Sequence, residues 1–288
     1  MLEDVVNASI NGILLGSVYS LIAMGLALIW GVMDVINFAQ GDYMMLGAFI
    51  TYFLFIGLGI DPLLSIPLTF VVVFLTGILT QRFVIDRILE APLISQIAAT
   101  FSILLIIRFG AEALIGPYTF RLVTGYADYV IRLGFIILHY TKLLAFIISI
   151  LTVISLYIFL TRTFLGTAIR ATSQNRIAAQ LVGVNIGRMY KLAFGIGVGI
   201  SAIGGALLST FYPLHPEMGG FFCLLAFVIV VFGGFGSIFG AFFSGIIIGV
   251  VQMLSALFVP PTLKDAIAFI IFILVLLFRP TGIFGKGV

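Results

Sequence analysis

Few side chains in this sequence could do chemistry, and most of those fall in two clusters. The first is Asp34-Val-Ile-Asn37-Phe-Ala-Gln40-Gly41-Asp42, which crowds two carboxylates and two amides into one short stretch. Such a set binds polar groups by hydrogen bonding. The second runs from Thr161 to Lys191, TRTFLGTAIRATSQNRIAAQLVGVNIGRMYK. It holds five of the 14 basic residues (Arg162, Arg170, Arg176, Arg188, Lys191) and no acidic one. Neither cluster is a catalytic set. His139 and His215 stand alone, Cys223 sits by itself in an apolar run, and no Ser–His–Asp trio or carboxylate pair falls in the apolar segments. Disulfides, thiolate metal sites and triad chemistry are therefore excluded. No GxxxxGK[ST] loop is present to cradle ATP phosphates. Gly197-x-Gly199-x-x-Ala202 imitates a dinucleotide fingerprint, but no strand precedes it and it lies inside an apolar run. The expectation is a chain that is not an enzyme, with no catalytic residues, no metal and no cofactor.

The elements that must position these clusters are membrane spans. Of 288 residues 62% are hydrophobic and only 9% charged, with a mean hydropathy of +1.31, whereas soluble domains carry about 25% charged residues. Uncharged runs of about twenty residues recur without strand-like alternation, which selects an all-α helical bundle over a barrel. The runs are Val5–Met33, Tyr43–Ile60, Pro62–Gln81, Leu93–Ile115, Phe135–Leu160 and Leu192–Tyr212. A long uncharged stretch, Met218–Leu263, follows and is cut by Gly233-Gly-Phe-Gly-Ser-Ile-Phe-Gly240. A last span starts at Pro260-Pro-Thr262, with Thr262 and Asp265 spaced as a capping pair, and ends at Arg279-Pro280. This makes a polytopic bundle of about eight or nine membrane segments, read as one permease-like domain over 1–288. Pro117–Leu133 reads as a non-periodic loop. Arg108 and Glu112, four apart in the fourth span, are expected to pair with each other, since a lone intramembrane Arg is costly. The acidic start MLEDVVN has no basic region ahead of a signal-like core, so no cleavable signal is expected.

Translocating Lys and Arg is disfavoured, so the basic stretch belongs on the cytoplasmic side, together with Arg82, Arg87, Arg279 and Lys286. Alternating spans then put the N-terminus, with Glu3 and Asp4, outside and the C-terminus inside. The net charge of +3 and pI near 9.1 reflect these loops and supply no face for nucleic acid. Within the stretch, Thr172 and Ser173 are good helix starts. Ile177, Ala178, Leu181 and Val182 form an apolar stripe at helical spacing, and Gly183 supplies a stop. This reads as a short surface helix offered to a cytosolic partner, or as an ordinary basic loop touching nothing.

The Asp34–Asp42 break has two readings. If it dips into the membrane it lines a cavity with Asn37, Gln40 and Asp42, because irregular backbone there survives only against protein or water. Otherwise it is a cytoplasmic turn. The Gly233–Gly240 break shares its layout, and matched breaks in two halves point to a central pathway flanked by Gly233, Gly234 and Gly236. Small residues at Gly195/Gly199, Ser201/Gly205, Gly236/Gly240 and Gly245/Gly249 read as close-packing helix faces.

Four segments carry a resemblance to a known family over nearly the whole chain: Asn37-Phe-Ala-Gln-Gly-Asp-Tyr-Met-Met-Leu-Gly-Ala-Phe49; Thr163, Gly166, Ala168, Arg170 and Ala171 with Asn175, Ala178, Ala179, Gly183 and Val184; Gly233, Gly234, Gly236, Ser237, Gly240 and Ala241; and the tail Arg279-Pro-Thr-Gly-Ile-Phe-Gly285. They resemble the permease subunits of branched-chain amino acid ABC transporters, the leucine/isoleucine/valine type, H-type in particular, with Gln40 standing where a His is common. The resemblance implies a fold like that of the vitamin B12 permease. It also implies a second homologous permease, two cytosolic ATP-binding subunits and an extracytoplasmic solute-binding protein, all at a plasma membrane whose lipid surrounds the chain. It makes Thr172–Gly183 the coupling helix, with Arg170, Thr172, Ser173, Asn175, Arg176, Ala178, Ala179 and Gly183 as coupling residues. The cargo implied is leucine, isoleucine or valine, with urea and short amides carried by relatives. A passive channel using the two breaks as half-helices is the rival reading.

Overall fold

The computed structural model describes residues 1–260, 263–279 and 281–284. Eleven α-helices are found among them: α1 (Leu2–Met33), α2 (Gln40–Leu58), α3 (Pro62–Phe83), α4 (Leu93–Ile115), α5 (Tyr140–Arg162), α6 (Phe164–Gln174), α7 (Arg176–Leu181), α8 (Ile186–Leu208), α9 (Met218–Gly233), α10 (Ile238–Phe258) and α11 (Lys264–Phe278). Seven are long and apolar enough to cross a membrane, namely α1 to α5, α8 and α10, and α9 is a shorter apolar helix. The chain is a multi-pass helical membrane protein.

α1 is the axis of the bundle. It carries no charge between Val5 and Met33, and 94% of its apolar stretch is buried, against 22% for α3, 17% for α4 and 22% for α5. Those three helices therefore turn most of their side chains outward, where lipid tails solvate them as well as protein does. Lipid supplies no hydrophobic force between helices, so α1 is held by close backbone approach and polar contacts. Antiparallel to it, α10 lays Gly245 against Ser20 and Gly249 against Gly12 and Gly16, positions with no room for a Cβ. The Ser20 hydroxyl bonds the Gly16 carbonyl (2.8 Å) and the Phe242 carbonyl (2.7 Å). On another side α8 is also antiparallel, with Gly197 against Gly25 and Gly204 against Val18 and Ile22. α8 also packs Gly195 and Gly199 on Phe74 and Phe70 of α3, and Gly205 on Met44 of α2.

These contacts match the packing expected of three of the four small-residue pairs. Gly236/Gly240 is different, because Gly236 stands in the break before α10 rather than on a helix.

Two boundaries also depart from the sequence expectation. The fifth span starts at Tyr140, because Val130–Leu133 and Ile136–His139 pair as an antiparallel hairpin, β1 and β2, turning at Gly134 (φ 64°). Asn7 fastens this hairpin to α1, its side chain accepting from the Ile137 amide and donating to the Phe135 carbonyl. α8 starts at Ile186 and not Leu192. Asn185 accepts from the Arg188 amide, so the helix is capped inside the basic stretch. Thr262 lies outside the described residues, as do Pro280, Gly285 and Lys286. Asp265 meanwhile accepts from Gln252 at 3.0 Å.

Candidate functional site

The Asp34–Ala39 segment leaves the end of α1 and re-enters the bundle. Asp34 takes the left-handed conformation (φ 56°) that ends α1, its amide bonding the Trp30 carbonyl. From there Val35, Asn37 and Ala39 are buried, and Gln40 reaches the carbonyl of Ile22 (3.4 Å) and that of Gly197 (3.3 Å). Ile22 precedes Met33 by three helical turns, so Gln40 works roughly 16 Å below the end of α1 at 1.5 Å per residue. α2 thus begins inside the bundle. Backbone this deep must be satisfied by protein. The Asn37 amide donates to the Gln40 oxygen (2.9 Å), its own oxygen accepts from the Ala39 amide (3.2 Å), and the Gln40 amide also bonds the Ser201 hydroxyl. Gln40 is therefore a bracket joining α1, α2 and α8.

Asp42, in the first turn of α2, is fully buried. It is met by Arg108 of α4, Nε to one carboxylate oxygen at 3.0 Å and an Nη to the other at 3.2 Å. The expected Arg108–Glu112 pair is thus corrected. The carboxylate buried in the bundle holds the guanidinium, and Glu112 instead lines an outer cleft with His215 and Glu217. A buried, bidentate partner outweighs a half-exposed neighbour one turn away because it has no water to fall back on. Thr100 supplies α4's second polar link, donating to the Ile36 carbonyl at 2.9 Å.

α9 is a strut between the two breaks. Its first turn lies on the start of α2, with Gly219 against Gly41 and Asp42. Along its length Cys223 meets the Phe38 carbonyl at 2.9 Å, and Phe227 packs on the Phe38 ring at 5.0 Å. At its far end Gly234 (φ 93°) and Gly236 (φ 73°) turn the chain, and Ser237 caps α10 by accepting from the Gly240 amide. Here Gly236 abuts Gly31 and the Phe235 ring packs tilted against Trp30 at 4.4 Å, while Gly233 backs onto Gly240. The Ile283 amide donates to the Phe232 carbonyl, so the tail closes over this end.

A cleft of about 470 Å³ opens beside the second break. Its walls are apolar, with Met24, Leu28, Val153 and Ile169 among them, and its polar groups are Arg170, Ser173, Gln174, Thr161 and Ser237. Gly236 lies on it. Arg170 and Ser173, expected to contact a partner, thus also face the break across this cleft.

Between Thr163 and Gly183 the basic stretch folds as two helices, α6 and α7, which corrects the expected helix start at Thr172 and Ser173. Those residues sit in the last turn of α6, where their hydroxyls bond back to the carbonyls of Ala168 and Arg170. Extended Asn175 ends α6 and caps α7, accepting from the Ala178 amide at 2.9 Å. An Asx side chain does this better than a hydroxyl already satisfied within a helix. Gly183 (φ 87°) stops the segment, as its type suggested. Ala179 packs inward, while Ile177 is 74%, Leu181 82% and Val182 80% exposed. Arg176 pairs with Asp34 and lies over the Tyr190 ring at 5.9 Å. α7 is therefore tied to the residue where α1 ends and the re-entrant segment begins. Lys191 pairs with Asp86 at 3.5 Å on the same end of the bundle.

The sequence profile of the family described as "Branched-chain amino acid transport system / permease component" matches residues 9–276. Over 290 residues the chain is 30% identical to the high-affinity branched-chain amino acid transport system permease protein BraD of Pseudomonas aeruginosa, covering 96% of this chain and 94% of that protein. It is 31% identical over 296 residues to LivH of Escherichia coli, a protein of the same description, with the same shares covered. The probable branched-chain amino acid transport permease protein LivH of Methanocaldococcus jannaschii is 28% identical over 293 residues, covering 96% of this chain and 91% of that one. No solved structure matches.

Proposed function

The chain belongs to the family of branched-chain amino acid transport permease components, and we propose that it is the membrane-spanning subunit of an importer driven by ATP hydrolysed in partner subunits. In this reading it works beside a second, homologous permease. It receives leucine, isoleucine or valine from an extracytoplasmic binding protein, and α7 docks on a cytosolic ATP-binding subunit. The basic end of the bundle faces the cytoplasm, the N-terminus faces outward, and the membrane is the plasma membrane. One observation carries the proposal. α7 presents Ile177 and Leu181 bare, one turn apart, while Arg176 fastens the same helix to Asp34. A displacement of α7 is thereby delivered to the segment that carries Asn37, Gln40 and Asp42, and through α9 to the second break at Gly233, Gly234 and Gly236. These six residues flank the solute path in this reading.

Arg170, Thr172, Ser173, Asn175, Arg176, Ala178, Ala179 and Gly183 form the coupling unit. Reconstitution with the ATP-binding subunits tests it. Arg170→Glu and Gly183→Pro should let the complex assemble and hydrolyse ATP while uptake per ATP collapses. Gly183→Pro forbids the positive φ and removes the amide that bonds the Gln180 carbonyl. Unchanged uptake in both variants, or ATP-independent passage of solute through the purified chain alone, would sink the reading.

A further inference from the structure

An apolar groove of about 680 Å³ lies apart from both breaks. Its floor is α8, and α3 and α5 form its sides while hardly touching one another. Phe70 and Phe74 of α3, Leu151 and Phe159 of α5, and Ile196 and Ile200 of α8 are among its walls, with Leu165 of α6 at one end. Phe70 and Phe74 stack at 5.8 Å, which gives the α3 side a flat aromatic surface. The polar residues of the groove are Thr152 and Ser155, and the Thr152 hydroxyl already donates to the Ile148 carbonyl at 2.8 Å. Leu192 to Ile203 spans roughly 16 Å of α8 at 1.5 Å per residue, and Ile148 to Phe159 spans the same length of α5. That is about half of the ~30 Å hydrocarbon core, the depth of one leaflet. Over this length the volume leaves a mean cross-section of roughly 40 Å², whereas an α-helix 10–12 Å across fills ~80–110 Å². Extended hydrocarbon chains fit the groove, and a partner's helix does not.

One end of the groove is charged. Its α5 stripe, Thr152, Ser155 and Phe159, continues at helical spacing to Arg162, and its α8 stripe, Ile200, Ile196 and Leu192, continues to Arg188. Both arginines are exposed, and among the described residues neither meets a carboxylate. Asp86 and Asp34, at the same end, are held by Lys191 and Arg176.

We infer that this groove holds a phospholipid with an anionic head group, its acyl chains against α3, α5 and α8 and its phosphate at Arg162 and Arg188. The guanidinium fork offers a phosphate two parallel donors, and the arginine stems can lie along the apolar walls while their heads stay in the polar layer. The two parts of the site select together. A zwitterionic lipid fills the groove equally well, but its own ammonium competes with the arginines for the phosphate. Inorganic phosphate meets the arginines and leaves the apolar walls uncovered. The inference goes beyond the transport reading and does not depend on it.

The test titrates the full chain, in a non-ionic detergent, with dioleoylphosphatidylglycerol, dioleoylphosphatidylcholine and inorganic phosphate, and reads bound lipid by native mass spectrometry. Phosphatidylglycerol should bind at least tenfold more tightly than phosphatidylcholine, and inorganic phosphate at equal concentration should not displace it. Each arginine near anionic lipid is worth about 1 kcal/mol, so R162Q/R188Q should weaken phosphatidylglycerol binding roughly 30-fold. R121Q/R132Q, which removes the same charge from the α4–α5 connection at the opposite end, should not. Phosphatidylglycerol with a photoreactive diazirine in its acyl chain should label α3, α5 and α8 in nanodiscs, and Ser155→Trp, which fills the groove, should remove that label. A smaller head-group preference, a loss below tenfold in R162Q/R188Q, an equal loss in R121Q/R132Q, or labelling that Ser155→Trp leaves intact overturns the inference. So does loss of the label on assembly with a second permease whose helices then cross-link to α3 and α5, which would make the groove a subunit interface. If a variant does not purify folded, the head-group series and the labelling of the unaltered chain decide.

Discussion

Replacing Ile177 and Leu181 together by Ser should abolish partner docking without disturbing the bundle. The two side chains lie four residues apart on α7 and are 74% and 82% exposed. Fully burying an Ile or Leu side chain is worth about 1.5–3 kcal/mol. About three quarters of that surface is still free here, so seating each in a partner's groove contributes about 1–2 kcal/mol. For both, the loss is about 2–4 kcal/mol, or roughly a 30- to 700-fold rise in Kd at 1.4 kcal/mol per tenfold. Neither side chain packs on the permease, so thermal stability should stay within about 0.5 kcal/mol, as for other surface changes. The measurement is a titration of ATP-binding subunits onto the permease in nanodiscs, with a melt of the permease alone as control. A Kd within about threefold of wild type, roughly 0.7 kcal/mol, would refute docking through this face. A large drop in melting temperature would show instead that the face is internal packing.

Gly25→Val should lower the melting temperature and release the Gln40 bracket, because any Cβ there runs into the Gly197 carbonyl, the Gln40 amide and Ser201. Overpacking of this kind costs about 1–3 kcal/mol, and a stable variant would mean that α1 and α8 separate readily. Arg176→Ala should leave the melt nearly unchanged, since exposed pairs contribute about 0–1 kcal/mol, yet reduce uptake per ATP. The reversed pair D34R/R176D should recover uptake, and failure to recover it would count against transmission through this contact. His139, at the foot of α5, is held below its ordinary pKa by burial and then by Lys142. Its unfolded form therefore binds protons more readily, and stability should be lost as pH falls below about 6.5. His139→Gln should flatten that part of a melting curve taken against pH, and an unchanged slope would exclude His139 as its source.

Much of the architecture was legible because its cause is local. Uncharged runs must be helices in lipid, and most spans lie within a few residues of where composition put them. Gly183 and the three small-residue pairs were legible for the same reason, since backbone conformation and close approach are properties of the residue itself. What escaped was decided at long range. Glu112 is the obvious neighbour of Arg108 by spacing, but the bundle folds a fully buried carboxylate from another helix onto the guanidinium, and nothing in the spacing of α4 announces Asp42. Gln40 as a bracket needed Ser201 and two carbonyls from helices distant in sequence. The hairpin Val130–His139 hid because its strands are short and run into an apolar helix, although Leu133-Gly-Phe135 is a turn signal that could have been read. The split at Asn175 was also available, since an Asn three residues before Ala178 is a helix start at least as good as Thr172.

α1 has consequences for how the molecule is made. It leaves the ribosome well before its chief partners α8 and α10, which begin at Ile186 and Ile238. At about 5–20 residues per second the wait between Met33 and Ile238 is roughly 10–40 s. Throughout that interval the notches at Gly12 and Gly16, shaped for the backbone of α10, have only lipid or the insertion machinery to fill them. A nascent chain cut short before α10 keeps an unfilled seam along its central helix.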